Sequence, residues 1–393
     1  MTAKTKQAAK PARTPIVTVL HLWLGLTLGA VLVMAGVTGS YLAFYTQIEV
    51  AAIPALRASP GARPASLEAV YGALTKVGPE ARGSWNIEVP QDGGVITARY
   101  RSPGSDQRMV SIDPVSLQVV RDVKWGHTVG TWIYELHYRL LMGRAGAAVM
   151  GWLTVAMLAV VVTGVILWWT LGRSRTGRFT FDVKGFSPRQ VYDQHRLLGL
   201  VATAFLAVVL VTAVMMSLPR QVRPMLAAVS PITQPMRPKS DPVPDAQRIS
   251  IDRAVAIASA RLPDARLTWV QVPNRPDGAF AVRFWQRGEP SRRFPRTYVW
   301  VDQFSGKVVG VQDGRAGSVS DKILMWLYPL HGGEAFGLFG RIFIVLLGFV
   351  PAALYVTGFV RWRQKERIKA RRAASSPAKR PKALQPVPTS HSL

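Results

Sequence analysis

Four long uncharged apolar runs, at about 19–45, 147–171, 197–218 and 338–360, restrict this chain more than any other feature. A helix needs roughly 20 apolar residues to cross a hydrocarbon core, and each run is long enough. The chain is therefore read as a membrane protein with four transmembrane helices in contact with a lipid bilayer. The first run follows a basic segment with Lys4, Lys6, Lys10 and Arg13, as a secretion signal does. The apolar part of a cleavable signal, however, is only about 7–15 residues long, so this run is expected to stay as a helix.

The formal charge of +27 would suggest a nucleic-acid partner in a soluble protein. Here Lys and Arg cluster beside the apolar runs and in the two tails, which points to membrane topology and to no nucleic acid. The basic N-terminal segment, the loop with Arg173, Arg175, Arg178, Lys184 and Arg189, and the tail from Arg361 to Lys369 belong together on the cytoplasmic side. Both termini are then cytoplasmic, and the two long connections are periplasmic. Cysteine is absent, which removes disulfides, Cys-ligated zinc and iron–sulfur clusters, and leaves His, Met or carboxylate as possible metal ligands.

The chain reads as a duplication. His21 opens H-L-W-L-G-L and His195 opens H-R-L-L-G-L, and a threonine follows each at the same offset, Thr38 and Thr212. Gly39 follows the first and Ala213 the second. His137 and His331 are each followed at equal offsets by Gly143 and Gly146 or Gly337 and Gly340, then by Thr163-Gly164 or Thr357-Gly358, then by Trp168 or Trp362. The long connections repeat too. A helix-like stretch (66–77; 250–262) precedes alternating strands (85–89 and 95–100; 269–272 and 279–285), and turns at Asp113 to Ser116 and Asp302 to Ser305 close each set. The expected fold is thus a membrane α-helical protein of two duplicated two-helix halves with two periplasmic α+β modules.

The segments divide as a basic tail (1–15), helix one (16–46), the first module (47–135), helix two with its lead-in (136–172), and a basic loop (173–194). Helix three (195–218), a linker with the second module (219–330), helix four with its lead-in (331–362) and a basic disordered tail (363–393) follow. The Pro-rich stretch 219–244 reads as the linker, and 373–393 as disordered.

Parallel repeats place His21 with His195 near the cytoplasmic face and His137 with His331 near the periplasmic face. Two histidines per leaflet is the number that a six-coordinate b-type haem takes, so two haem b groups are expected with these four residues as axial ligands. One such histidine alone would be read as an ordinary interfacial residue; four in pairable, repeat-equivalent positions are not. Zinc or copper could use histidine pairs, but no further ligand stands at matching positions. Gly25 and Gly199, one turn beyond their histidines, would let a porphyrin approach the backbone, or serve plain helix packing, and the four outer glycines likewise. Arg139, Arg144, Arg196 and Arg341 could pair with haem propionates or snorkel to headgroups. Trp23, Trp168, Trp169 and Trp362 read as interfacial-belt residues. His127 and His391 lack repeat partners and read as surface or tail residues. No nucleophile constellation, phosphate loop or dinucleotide fingerprint stands out.

Four motifs carry a resemblance: H-L-W-L-G-L-x(11)-T-G at His21, L-H-Y-R-L-L-M-G-R-A-G at His137, Y-D-Q-H-R-L-L-G-L at His195, and L-H-G-G-E-A-F-G-L-F-G-R with T-G-F-V-R-W from His331. Over about 15–365 the chain resembles bacterial inner-membrane proteins with a PepSY-associated transmembrane region, also called iron-uptake or ferric-siderophore reductase proteins. The water-facing modules resemble PepSY domains, the second (250–314) more clearly. Ala213, where the family often has Gly, is a departure in packing that leaves the ligands untouched. The resemblance implies a transmembrane ferric-siderophore reductase: an unknown cytoplasmic or quinone donor reduces the haem at His21 and His195, and the electron passes to the haem at His137 and His331 and on to a periplasmic ferric siderophore. Arg275, Arg283, Arg287, Arg292, Arg293 and Arg296 would attract an anionic ferric chelate or form a solvated basic face. Two other functions stay open, a PepSY-based peptidase-modulating or envelope-sensing protein without redox activity, and a haem electron carrier with another acceptor.

Overall fold

The computed structural model describes residues 15–59, 64–77, 83–90, 94–101, 107–173 and 182–375. Lys4, Lys6, Lys10, Arg13, Arg175, Arg178, His391 and the tail from 376 onward lie outside the described residues. The chain runs from α1 (Ile16–Leu42) through α2 (Tyr45–Ala52) into α3 (Leu67–Val77) and the strands β1 (Ser84–Glu88), β2 (Ile96–Arg101), β3 (Arg108–Ile112) and β4 (Val119–Lys124). It returns through α4 (Val129–Arg139) and α5 (Gly143–Arg173). The same order of element types follows in α6 (Pro188–Ser217), α7 (Pro219–Val229), α8 (Ile251–Arg261), β5 (Arg266–Gln271), β6 (Ala279–Trp285), β7 (Thr297–Asp302), β8 (Val308–Gln312), α9 (Val319–His331) and α10 (Gly337–Ala374).

Among the described residues four helices, those containing α1, α5, α6 and α10, are long and apolar enough to cross a membrane. They form a ring in which α1 packs on α5 and α10, and α6 packs on the same two. Large apolar side chains such as Trp152, Val162, Val201, Phe205, Leu346 and Phe349 remain exposed on the outside, where lipid replaces water. Small residues set the closest contact. A Cβ on Gly348 would stand 2.5 Å from the Gly36 carbonyl, and Ser40 Oγ donates across the interface to the Val345 carbonyl at 2.9 Å. The basic segment after the fourth apolar run continues α10 to Ala374, twelve residues into the tail 363–393 expected to be disordered.

The eight strands form one antiparallel sheet in the order β4-β3-β2-β1-β5-β6-β7-β8. The sequence suggests two small modules, and because β1 and β5 pair at Asn86–Gln271, Ile87–Val270 and Glu88–Trp269, their two four-stranded meanders share one sheet. A single core joins them: Val70, Leu74, Ile87 and Ala98 pack with Ile251, Ala254, Phe280 and Val299. The helices α3 and α8 cover that core and cap each other. Asp252 accepts the Leu67 and Glu68 amides at 2.9 and 3.0 Å, and Glu68 accepts the Ile251 amide at 2.7 Å. Asp113 and Asp302 accept backbone amides within the β3–β4 and β7–β8 turns, as their positions suggest.

The Pro-rich stretch expected as a linker opens instead with α7. Pro219 holds its first helical position, where a missing N–H is tolerated. Ser320 Oγ on α9 donates to the Leu226 carbonyl of α7 at 2.7 Å, which ties this helix to the lead-in of the fourth span.

Candidate functional site

The histidines fall on four different helices and meet in two pairs. His137 on α4 and His331 on α9 lie just beneath the sheet, with ring centres 6.1 Å apart and planes at 60°. His21 on α1 and His195 on α6 meet at the other end of the bundle, 6.3 Å apart at 82°. Metal–imidazole bonds of about 2 Å put two rings on opposite faces of one iron with centres about 6 Å apart. Both spacings fit bis-imidazole ligation.

A threonine fixes each ring. Thr38 Oγ1 on α1 donates to the Met34 carbonyl at 2.7 Å, so toward His137 it can only accept, and His137 Nδ1–H donates to it at 2.9 Å. The same argument covers the other three. Thr163 receives His21 at 3.1 Å while donating to Ala159, Thr212 receives His331 at 3.2 Å while donating to Val208, and Thr357 receives His195 at 3.0 Å while donating to Ala353. Two backbone carbonyls, which cannot donate at all, also face Nδ1: Val160 for His21 at 3.2 Å and Val209 for His331 at 3.1 Å. The network therefore assigns the proton to Nδ1 in all four rings and leaves the Nε2 lone pair for a metal.

The residue after each threonine makes room for the ring. A Cβ on Gly39 would stand 3.1 Å from His137 Cε1, one on Gly164 3.2 Å from His21 Cε1, and one on Gly358 3.5 Å from His195 Cε1. Ala213 is the fourth member and keeps its methyl beside Thr212. The recurrence of Thr-Gly is visible in the sequence; its role as the cradle of the histidines is not, because each cradle lies on a different helix from its ring.

The remaining expected site residues divide. Beside Gly25 a Cβ would meet nothing within 4 Å, and beside Gly199 only Leu354 at 3.8 Å, so both surfaces are open. Gly146 and Gly340, read either as admitting a ring or as plain packing, face the backbone carbonyls of Arg139 and Gly333 and permit the tight reversals from α4 to α5 and from α9 to α10. Arg139 pairs with Glu135 at 3.2 Å, and Arg144 is exposed at the start of α5. Arg196 pairs with Asp193 at 3.8 Å and stacks over Tyr192. Arg341 donates to the Ala43 carbonyl at 2.9 Å and so caps the end of α1. The six arginines of the second half do not share a face. Arg292 and Arg293 line the cavity described next, whereas Arg283 lies over Tyr298 and Arg275 pairs with Asp277 at 3.2 Å. His127 is exposed, as its lack of a repeat partner suggests.

A cavity of about 1750 Å³ rises from the His137–His331 pair to the sheet. That exceeds the roughly 300–1,000 Å³ of ordinary ligand pockets. Met150, Thr154, Met157 and Leu210 line its depth, Tyr134 and Tyr328 its middle, and Glu88, Arg99, Trp269 and Arg293 its sheet end. Tyr134 and Tyr328 each precede a histidine by three residues, a match between the halves that the repeat contains. Arg99 carries no such signal, being one alternating residue on a strand. Burial opposes the charge of Arg293, but the Glu88 carboxylate and Tyr45 outweigh it and hold its proton affinity above that of an ordinary arginine. Burial also pushes the Glu289 carboxyl above the ordinary range, against the amides of Gln286 and Arg296 that it accepts.

Among the described residues no group of three or more His, Cys, Asp or Glu gathers as a metal site. Metals held by protein side chains alone take three or four such ligands, whereas a haem asks the protein for only two. The donor set fits haem.

Four membrane-crossing helices joined to an α+β sheet define a multi-pass membrane protein with one large extramembrane unit. The family model of the PepSY-associated TM region matches residues 18–365, and the chain belongs to that family. No curated protein matches it.

Proposed function

We propose that this protein is an inner-membrane di-haem b oxidoreductase that takes electrons from a cytoplasmic or quinone donor and passes them to a periplasmic ferric siderophore. One observation carries the reading: two histidine pairs at bis-imidazole spacing, every ring held by a threonine with its Nε2 lone pair left for a metal. A haem b at each pair would supply a one-electron Fe(III)/Fe(II) couple there. His21 and His195 would hold one group, His137 and His331 the other. Thr38 stands at the level of His137 and lies seventeen residues beyond His21 on α1, about 25 Å of helix rise. Two couples so spaced divide a hydrocarbon core roughly 30 Å thick into shorter steps.

Orientation in this reading follows Lys184, Arg189 and the basic end of α10, which all lie at the end opposite the sheet and favour the cytoplasm there. The sheet is then periplasmic, and the duplication of a helix, α+β module, helix unit accounts for one pair per leaflet. The family resemblance supplies the ferric siderophore as acceptor, and the cavity above His137 and His331 supports it with a way in for a large ligand. Reduction to Fe(II) frees iron from such a chelate because hard oxygen donors hold the larger, less charged ion weakly.

The visible spectrum tests the reading. Protein purified after haem-replete expression should show two b-type components on dithionite reduction. His21→Ala and His195→Ala should each remove one component, and His137→Ala and His331→Ala the other. A colourless folded protein would refute it. Stopped-flow oxidation of the reduced protein by ferric siderophores should outpace oxidation by air; equal rates would shift the acceptor elsewhere.

A further inference from the structure

We propose that Arg99 and Arg293 form an oxyanion seat at the sheet end of the cavity, which takes the carboxylates of an anionic ligand lodged above His137 and His331. The two guanidinium groups share one counter-ion. Glu88 stands 3.7 Å from Arg99 Nη2 and 3.2 Å from Arg293 Nε, Arg293 Nη2 donates to the Tyr45 hydroxyl at 3.0 Å, and Nε of both arginines is buried without a hydrogen-bond partner. Neighbouring carboxylates are committed elsewhere. Glu334 accepts the Arg292 and Arg293 amides and the Ser291 hydroxyl, and Glu289 accepts the Gln286 and Arg296 amides. One positive charge therefore remains over on two side chains left only 20% and 24% exposed, where an unneutralised ion is costly.

Aromatic rings cover the flat faces of both arginines. Arg99 lies between Trp125 at 5.2 Å and Trp269 at 5.1 Å, and Arg293 rests on Tyr45 at 5.3 Å and Phe294 at 5.5 Å. With the faces covered, further bonding is confined to the N–H edges, and that edge geometry matches a carboxylate. The seat is also fixed relative to the histidines. Glu334, three residues beyond His331, anchors the loop that carries Arg293, and Phe294 packs on Tyr328 at 5.0 Å, one helical turn before His331. The seat thus stands about one to two helix turns above the pair.

Two sources could bring the carboxylates: the propionates of a porphyrin ligated by His137 and His331, which rests on the function proposed above, or an anionic ferric chelate entering the cavity. The test uses full-length protein purified from haem-starved cells, in a His21→Ala background so that only the sheet-side pair can load. It is titrated with haemin and with haemin dimethyl ester, which has the same ring and iron but no carboxylates, and separately with ferric citrate. If propionates use the seat, haemin should bind roughly tenfold or more tightly than its ester, and Arg99→Gln or Arg293→Gln should erase that ratio while Arg293→Lys keeps part of it. If a diffusible anion uses it, haemin and ester should bind alike and the same Gln variants should weaken ferric citrate roughly tenfold. A haemin-to-ester ratio near one, together with ferric citrate binding unchanged in Gln variants that unfold at the wild-type temperature, would overturn the seat. Failure of the wild type to bind either haemin or its ester would instead refute the haem reading, and ferric citrate alone would then decide the seat.

Discussion

Each histidine owes its tautomer to a threonine on a neighbouring helix, and each threonine is locked as an acceptor by its own backbone. A ligating imidazole that donates through Nδ1 gains electron density at Nε2 and favours Fe(III). Thr38→Val keeps the shape and removes the acceptor. If the two pairs hold haem as proposed, affinity at the sheet-side pair should fall roughly 10–100-fold, and the midpoint potential of that component should rise in a redox titration followed by visible absorption, with the far component unmoved. Thr38→Ser should restore both. An unchanged potential in Thr38→Val would mean that the hydroxyl only fills space beside the ring.

At the scale of elements, the bundle depends on the α1–α10 contact and the sheet on the mutual capping of α3 and α8. In Gly348→Leu the new side chain would meet the Gly36 carbonyl and Ser40 Oγ, with nowhere to go between two backbones. The helices should separate, and thermal unfolding in detergent should come many degrees earlier; a wild-type transition would show that the interface is loose. On the sheet side, burial disfavours the Glu68 carboxylate, but Arg248 and the Ile251 amide outweigh it and hold the carboxyl below its ordinary value. A depressed acid stabilises the fold fully above its unfolded value, and that contribution is lost as pH falls through the depressed one. The wild type should therefore lose stability on acidification below about pH 4.5, the ordinary glutamate value. Glu68→Gln should be less stable by about 1 kcal/mol at pH 7 and lose less on acidification. Equal pH profiles for the two proteins, read by near-UV circular dichroism, would remove Glu68 from the account.

The whole extramembrane unit is one sheet because β1 and β5 pair, and that pairing closes an edge on each half. A fragment holding only residues 238–316 would expose the β5 edge and half of the shared core. Such an edge pairs with whatever it meets, so the fragment should form dimers or larger species in light scattering. A stable monomer would show that each half is complete alone. In the full chain the same junction sets Glu88 of β1 and Trp269 of β5 side by side, and so brings Arg99 of one half and Arg293 of the other to one carboxylate.

Much of this was legible in the chain itself. Apolar run lengths mark four spans, because each run is long enough for the hydrocarbon thickness. Alternation and helix periodicity determine the helix-then-strands order of each module, and Asp113 and Asp302 mark its closing turns, since these are local matters of backbone hydrogen bonding. Repeat offsets single out the four histidines and set His21 against His195 and His137 against His331. Tertiary structure alone decided the rest. It joined two modules into one sheet, because edge pairing depends on which strands meet in space. It gave the glycines after the histidines to backbone reversals and set Thr-Gly pairs from other helices against the rings. It also gathered Glu88, Arg99 and Arg293 from distant positions around one cavity, because charge and packing act through space, and no period along the chain records them.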